Sequence, residues 1–266
     1  MNPTVGLTER VLVPSTPYRS IVLDEVGSTN REAFQRAEAG EPGPLWIMAR
    51  RQTAGRGRSG RQWASEPGNL YASLLVSLAC PPAVVPQLSL LAGVAVIDAI
   101  AQAASGNPAA GLRLKWPNDV LIGQAKCSGI LAESISGQAA VTAVIGVGLN
   151  LAWHPTDLGR EATNLAEYGV RAEPEAMLAM LAGTMQHWLA VWNGGTGFAE
   201  VRQAWLDRAG VVGEHCSVNT GAEHVEGTFL GLDASGALLM RDRDGRQRTI
   251  AFGDVTLAAS GSGDAN

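Results

Sequence analysis

Cysteine is scarce in this chain. Cys80, Cys127 and Cys216 are widely separated, odd in number, and form no Cys-x-x-Cys pair. That spacing argues against a disulfide framework or a structural zinc site and suits a reducing cytosol. Net positive charge is missing too: the formal charge is −5, which argues against a general nucleic-acid binder. No basic start leads into an apolar signal core. The longest apolar helical run, around Leu88 to Ala103, is too short for a bilayer and is interrupted by Asp98. The expected setting is therefore cytoplasmic, away from membranes. Gly-x-x-x-x-Gly-Lys-Ser/Thr and His-Glu-x-x-His do not occur, so P-loop and zincin chemistry have no support. Internal repeats are absent as well.

What is present suffices for a sizeable core. At 46% hydrophobic and 17% charged, 266 residues suit one large domain, or a large and a small one. Residues 1–20, with Pro3, Pro14 and Pro17, are expected as an irregular lead-in. Strands are expected over 20–24, 45–49, 69–78, 125–133 and 141–150, and helices over 88–105, 177–192 and 198–209. Ser28 or Thr29 can cap a further helix that carries Glu32 in its first turn. The segment 112–122 reads as a strand broken by Trp116-Pro117-Asn118-Asp119, with a hairpin to the next strand around Gly123-Gln124. From Gly213 the texture changes to four short strands joined at Thr220-Gly221, Ser235-Gly236 and Asp244-Gly245, a small β-barrel. Residues 259–266 read as a disordered tail.

The densest chemistry lies in 52–63, Gln-Thr-Ala-Gly-Arg-Gly-Arg-Ser-Gly-Arg-Gln-Trp. Arg50, Arg51, Arg56, Arg58 and Arg61 crowd together in a chain that is acidic overall, with Gly55, Gly57 and Gly60 among them. Arginine holds phosphate bidentately, and glycine lets the backbone approach a ligand and adopt φ > 0. Alone, such a stretch is more often a solvated basic turn. Its company favours a loop that folds over a small anion. Ser28-Thr29-Asn30 follows a strand, Lys115-Trp116-Pro117-Asn118-Asp119 lies downstream, and Lys126 and Gly129 follow.

In this order these features resemble the biotin–protein ligases (biotin–[acetyl-CoA-carboxylase] ligases). Gly-Arg-Gly-Arg-x-x-Arg-x-Trp followed by Lys-Trp-Pro-Asn-Asp is specific to them, and Lys126 falls seven residues after Asp119 as that pattern requires. The resemblance runs over residues 21–257 and fits a short form without an N-terminal DNA-binding domain. It implies an α+β protein: a mixed β-sheet catalytic domain of the biotin/lipoate ligase type with flanking helices over 1–212, and a small C-terminal SH3-like barrel over 213–258. It implies ATP-dependent activation of biotin to biotinyl-5′-AMP, then transfer to a lysine of a biotin carboxyl carrier protein, the acceptor subunit of acetyl-CoA carboxylase. Biotin, ATP and Mg2+ are the implied ligands, nucleic acid is not, and the chain would be a monomer or homodimer. The residue types suit this chemistry. A carboxylate must meet a triphosphate, and fixed cations neutralise both. No covalent enzyme intermediate is needed, which fits the lack of a Ser/His/Asp signature. A closing glycine-rich loop would shelter the water-labile adenylate.

The resemblance also assigns roles. Ser28, Thr29, Asn30 and Gln52 would bind biotin around its ureido head, together with the backbone of Arg56, Gly57, Arg58 and Gly129. Trp63 would cover the apolar tail. Arg58, Arg61 and Lys126 would contact carboxyl and phosphates, with Lys126 touching both at the reacting centre. Lys115 and Asn118 would face the nucleotide. Asn118 and Asp119 would lie near the metal or the incoming lysine; no side-chain cluster forms a metal site, and Mg2+ would come with ATP near Asp119. Asn150 would lie beside adenine and ribose.

Each residue also has a plainer use. Ser28 and Thr29 can simply cap a helix, Lys115 can be a surface strand residue, and Trp116-Pro117 reads as architecture. Gly146 and Gly148 can serve close packing alone. His154, His187, His215 and His224 match no motif and read as structural. Cys127 beside Lys126 is a small hydrophobe whose cationic neighbour would make it reactive. Arg50 occupies a position often acidic in the family. Three other functions compete. A lipoate–protein ligase shares the fold and adenylation, but the intact Arg/Gly loop and Lys-Trp-Pro-Asn-Asp favour biotin. A biotin-responsive regulator would need a DNA-binding domain ahead of the core, where only about 20 residues precede it. A non-catalytic binding module is disfavoured by intact Lys126, Arg58 and Arg61.

Overall fold

Alternation builds the main sheet. Val22, Trp46, Met48, Ala72 and Leu74 point to one face, and Ile21, Leu23, Leu45, Ile47, Ala49 and Leu75 to the other, and both sets are buried. Strands buried on both faces need helices above and below. The computed structural model describes residues 10–12, 18–104, 111–137, 140–156 and 161–257. It holds eight strands in one sheet: β1 (Arg10–Leu12), β2 (Arg19–Val26), β3 (Leu45–Gln52), β4 (Leu70–Leu78), β5 (Leu112–Lys115), β6 (Asp119–Ile122), β7 (Ala125–Ser136) and β8 (Val141–Leu149). Their order is β1-β2-β3-β4-β8-β7-β6-β5. Among the described strands only β2 and β3 pair in parallel, joined by a crossover through α1 (Thr29–Glu38). Ala33, Phe34 and Ala37 of that helix cover the second face.

The first face is covered by α2 (Gln87–Ala103), α3 (Pro174–Trp192) and α4 (Phe198–Leu206). Asp98, the charge that interrupts the apolar run of α2, accepts from Trp188 Nε1 at 2.8 Å and pairs with Arg208 at 2.8 Å. The helix therefore keeps its acid by pinning it to α3 and to the chain after α4. No helix among the described residues is long and apolar enough to cross a membrane.

A second antiparallel sheet follows: β9 (His215–Asn219), β10 (His224–Leu232), β11 (Leu238–Asp242), β12 (Gln247–Ile250) and β13 (Asp254–Leu257), in the order β12-β11-β10-β9-β13. It has the strands of a small SH3-like barrel, but no ladder between β12 and β13 appears among the described residues. Its apolar face continues the main core, with Trp205 edge-on to Phe229 at 6.5 Å. Trp116 Nε1 donates to Gly236 O at 3.1 Å, so the small sheet reaches the turn after β5.

Three expectations change here. The lead-in is not irregular throughout: Arg10–Leu12 pairs antiparallel with β2, Arg10 opposite Val22. Pairing at a sheet edge is set by the open backbone of the neighbour, which the periodicity of three residues does not reveal. The broken strand over 112–122 is two antiparallel strands, with Lys115 opposite Asp119 across the turn Trp116-Pro117-Asn118. The C-terminal sheet has a fifth strand, β13, beyond the four expected. The tail over 259–266 lies outside the described residues.

Leu91 of α2 is fully buried between sheet and helices. Leu91→Ala should lower the unfolding free energy by about 3 kcal/mol through lost transfer energy and a residual cavity. Urea titration followed by circular dichroism checks this, and a loss under about 1 kcal/mol would show that the site collapses freely.

Candidate active site

The cavity begins where β2 and β3 end. The chain leaves β2 at Val26 and enters α1 at Thr29. Ser28 occupies the N-cap position with extended backbone but makes no side-chain capping bond. Capping alone does not account for it, and it lines the cavity while being 3% exposed. Thr29 donates to Gln52 Oε1 from its backbone N–H at 2.9 Å, and its hydroxyl lies 3.2 Å from the same oxygen. Gln52 Nε2 donates to Ser65 Oγ at 3.0 Å, and Ser65 Oγ donates to Trp63 O at 2.9 Å. Asn30 is buried, with both amide protons used on Leu131 O at 3.1 Å and Glu133 Oε2 at 2.8 Å. A Cβ on Gly146 would fall 2.1 Å from Asn30 Oδ1, so glycine there makes room for the amide.

The Arg/Gly stretch is a closed hairpin. Arg56 and Gln62 form an antiparallel bridge, Gly57 N donates to Arg61 O at 2.7 Å, and Trp63 N donates to Gly55 O at 2.9 Å. A Cβ on Gly55 would lie 2.4 Å from Trp63 O, so no larger residue fits at the neck. The tip turns through Ser59 at φ 55° and Gly60 at φ 73°. Past the hairpin, Trp63 lies against Gly129 and Gly148, where added Cβ atoms would come within 2.9 and 2.5 Å of its ring. Lys126 Nζ sits 5.4 Å from the centroid of that ring.

Opposite lies a buried charge cluster. Asp119 Oδ1 accepts from Lys126 Nζ in a short contact, and Asp119 Oδ2 pairs with Lys115 Nζ at 3.1 Å. Burial alone would raise the Asp119 carboxyl, but Lys126 and then Lys115 outweigh it and hold the acid below its ordinary value. A bulge creates the arrangement. Asp119 faces Gly129 and Val120 faces Ser128, but Leu121 faces Lys126, so Cys127 is the extra residue. The bulge turns Lys126 toward Asp119 and Cys127 toward the core. Cys127 is fully buried, its Sγ donates to Val120 O at 3.5 Å, and burial pushes its thiol up to about 12. The expectation of a reactive Cys127 is thus corrected: desolvation of the thiolate outweighs the neighbouring lysine.

These pieces line one cavity of about 1050 Å3. Of the residues named from sequence, Ser28, Thr29, Asn30, Gln52, Arg56, Gly57, Arg58, Arg61, Trp63, Lys115, Asn118, Asp119, Lys126 and Gly129 all border it. Asn150 does not. It is buried at the end of β8, donates from Nδ2 to Thr163 O at 2.9 Å, and anchors the segment after residue 161. No histidine lines the cavity. Arg50 ties β3 to the first turn of α3 through Glu175 at 2.6 Å.

Two acids that pair with the arginines escaped sequence reasoning, and so did Glu161 of the cavity lining. Glu133 pairs with Arg56 at 3.0 Å. Asp254 of β13 pairs with Arg61 at 2.5 Å and lies 3.9 Å from Arg58. Arg58 also lies over the Phe252 ring at 5.1 Å, and Lys115 Nζ donates to Val255 O at 3.1 Å. The only sequence signal for Glu133 was its period-two spacing from Gly129 along β7. Asp254 carried none, because its strand was missed. Five cations that border the cavity (Arg56, Arg58, Arg61, Lys115, Lys126) thus pair with Asp119 and Asp254 of its lining and with Glu133 outside it, and the cavity is able to take a molecule with several anionic groups.

Comparison with known proteins gives the same class. The Biotin/lipoate A/B protein ligase family matches residues 23–150, and the Biotin protein ligase C terminal domain matches residues 211–257. A biotin--[acetyl-CoA-carboxylase] ligase of Paracoccus denitrificans is 40% identical over 234 residues, 85% of this chain and 95% of that protein. The bifunctional ligase/repressor BirA of Bacillus subtilis is 34% identical, covering 89% of this chain and 73% of that longer protein. The Aquifex aeolicus biotin protein ligase, solved in complex with biotin and ATP, superposes with a TM-score of 0.74 at 28% identity, over 91% of this chain and 99% of that one. The chain belongs to the biotin protein ligase family.

The buried thiol gives a direct test of the bulge. With its thiol at about 12, Cys127 should stay unmodified by iodoacetamide at pH 8 in the folded protein and react after denaturation. Peptide mass mapping reads this out, and labelling of Cys127 as fast as half-buried Cys80 would place Cys127, not Lys126, on the open face.

Proposed function

We propose that the chain activates biotin with MgATP to biotinyl-5′-AMP and then transfers biotin to a lysine of a biotin carboxyl carrier domain, in the cytoplasm. The observation that carries this reading is the single cavity in which a polar pocket at the start of α1 adjoins a cluster of paired cations. Hydroxyls and an amide at Ser28, Thr29 and Gln52 suit the ureido head, and the flat face of Trp63 suits the apolar tail. Lys126, 5.4 Å from the Trp63 ring and bonded to Asp119, lines the same cavity as Arg58 and Arg61, and would stand where the biotin carboxylate meets the α-phosphorus.

In the first step a carboxylate oxygen attacks that phosphorus and pyrophosphate leaves. Charge builds on the phosphorus-bound oxygens, and Lys126, Arg58 and Arg61 offset it. Each cation exchanges a carboxylate of the protein for an anion of the substrate, so none is left unpaired before binding. Once Lys115 and Lys126 turn from Asp119 to the substrate anions, that carboxylate would help hold a magnesium ion that arrives with ATP. In the second step the ε-amine of the carrier lysine attacks the biotinyl carbonyl and AMP leaves. Lys115 and Asn118 border the nucleotide side, and Asn150 acts by holding the segment around Thr163.

Incubation with biotin, MgATP and a carrier domain, followed by intact mass, should show one biotinyl group on the carrier; modification with lipoate alone would overturn the choice of substrate. Lys126→Ala should fold normally and slow single-turnover adenylate formation by about 10² to 10³, the cost of about 3–4 kcal/mol for one such donor. A rate within threefold of the parent would remove Lys126 from the reacting centre.

A further inference from the structure

The hydrogen bonds around the head pocket form a circuit that starts and ends on the hairpin. Arg56 Nη2 donates to both oxygens of Glu133, at 3.2 and 3.0 Å. Glu133 Oε2 accepts from Asn30 Nδ2 at 2.8 Å. Asn30 Oδ1 lies 2.6 Å from Ser73 Oγ, which lies 2.7 Å from Thr29 Oγ1. Thr29 holds Gln52, Gln52 holds Ser65, and Ser65 holds the Trp63 carbonyl at the far side of the hairpin neck.

The middle of this circuit is buried, with Thr29 and Asn30 at 4% and Ser73 at 0% exposure, while Gln52 and Trp63 are half-buried. The Arg56–Glu133 pair is more open, its side chains 40% and 29% exposed. So exposed an ion pair adds little stability by itself. Its use is geometric. Glu133 is the carboxylate through which the first strand of the hairpin reaches the buried amide of Asn30. Both Asn30 protons are spent on the protein, one of them on Glu133, so Asn30 orients Thr29 and Gln52 through Ser73. Arg56 points to Glu133 while Arg58 and Arg61 point to Asp254, which separates one arginine from the phosphate side.

We propose that Glu133 is a positioning residue for biotin capture: through Asn30 and Arg56 it ties the Arg/Gly hairpin to the pocket for the ureido head. Hairpin placement and head-group binding are then one event. This rests on the function proposed above, and it concerns biotin rather than ATP.

Steady-state adenylate formation and protease cleavage between Arg56 and Arg61 test it, with circular dichroism as the folding control. Glu133→Ala should raise KM for biotin about tenfold, the loss of a charged hydrogen-bond partner, with kcat and KM for ATP within about twofold of the parent. Glu133→Gln keeps an acceptor for Asn30 but no charge for Arg56, and should raise KM for biotin about threefold. Arg56→Ala should match it, and the double variant Glu133→Gln/Arg56→Ala should be no worse than either alone, because both break the same link. Biotin should protect the hairpin from cleavage in the parent more than in either variant. If Glu133→Ala fails to fold, Glu133→Gln and Arg56→Ala decide the matter by the same values. A parent that forms no adenylate would overturn the ligase reading itself. A working parent whose variants keep the parental KM for biotin, lose kcat and ATP binding equally, or add independently would overturn the role of Glu133 alone.

Discussion

The rest of the site depends on one buried carboxylate holding two ammonium groups. Asp119 is 7% exposed and Lys126 is 8% exposed, and neither charge could stand there unpaired. Lys115 reaches the same acid from the neighbouring strand. The three residues come from consecutive strands, so the turn after β5 and the bulge at Cys127 must both form before the cluster exists. The cluster therefore fixes the phase of β5, β6 and β7, and with it the position of Gly129 beneath Trp63. A one-residue slip would send Lys126 into the core and break the pair.

The other cations obey the same constraint. Arg56 rests on Glu133, and Arg58 and Arg61 on Asp254. Each of these three arginines is thus kept in place by an acid of the protein. Because Asp254 and the Val255 carbonyl belong to the second sheet, the two sheets share the cavity. Burial lowers Arg58 from its ordinary value, with Asp254 and Asp119 opposing that shift, so the guanidinium depends on its acids while no substrate is bound.

Most of the chemistry was legible because it lies in contiguous motifs. Gln52 to Trp63 and Lys115 to Asp119 bring their side chains to one cavity through local turns. What remained illegible is non-local. Lys126 and Gly129 are an odd number of residues apart, so alternation alone puts them on opposite faces; the bulge puts both on the cavity. The same bulge sends Cys127 inward, where its adjacency to a lysine no longer matters. Glu133 and Asp254 are 77 and 193 residues from their arginines, and no local pattern marks such pairs. The motif position of Asn150 points to adenine and ribose, but the residue lies outside the cavity lining and its Nδ2 donates to Thr163 O.

The central claim is that Lys126 is held by Asp119 in readiness for the substrate anions. The most direct test is a crystal structure of the chain with biotinyl-5′-AMP. The account predicts Lys126 Nζ within about 3 Å of an oxygen of the biotinyl phosphate, the ureido ring against Ser28, Thr29 and Gln52, and Arg61 released from Asp254 toward the ligand. A complex in which Lys126 remains bound only to Asp119, with the adenylate seated elsewhere, would contradict it.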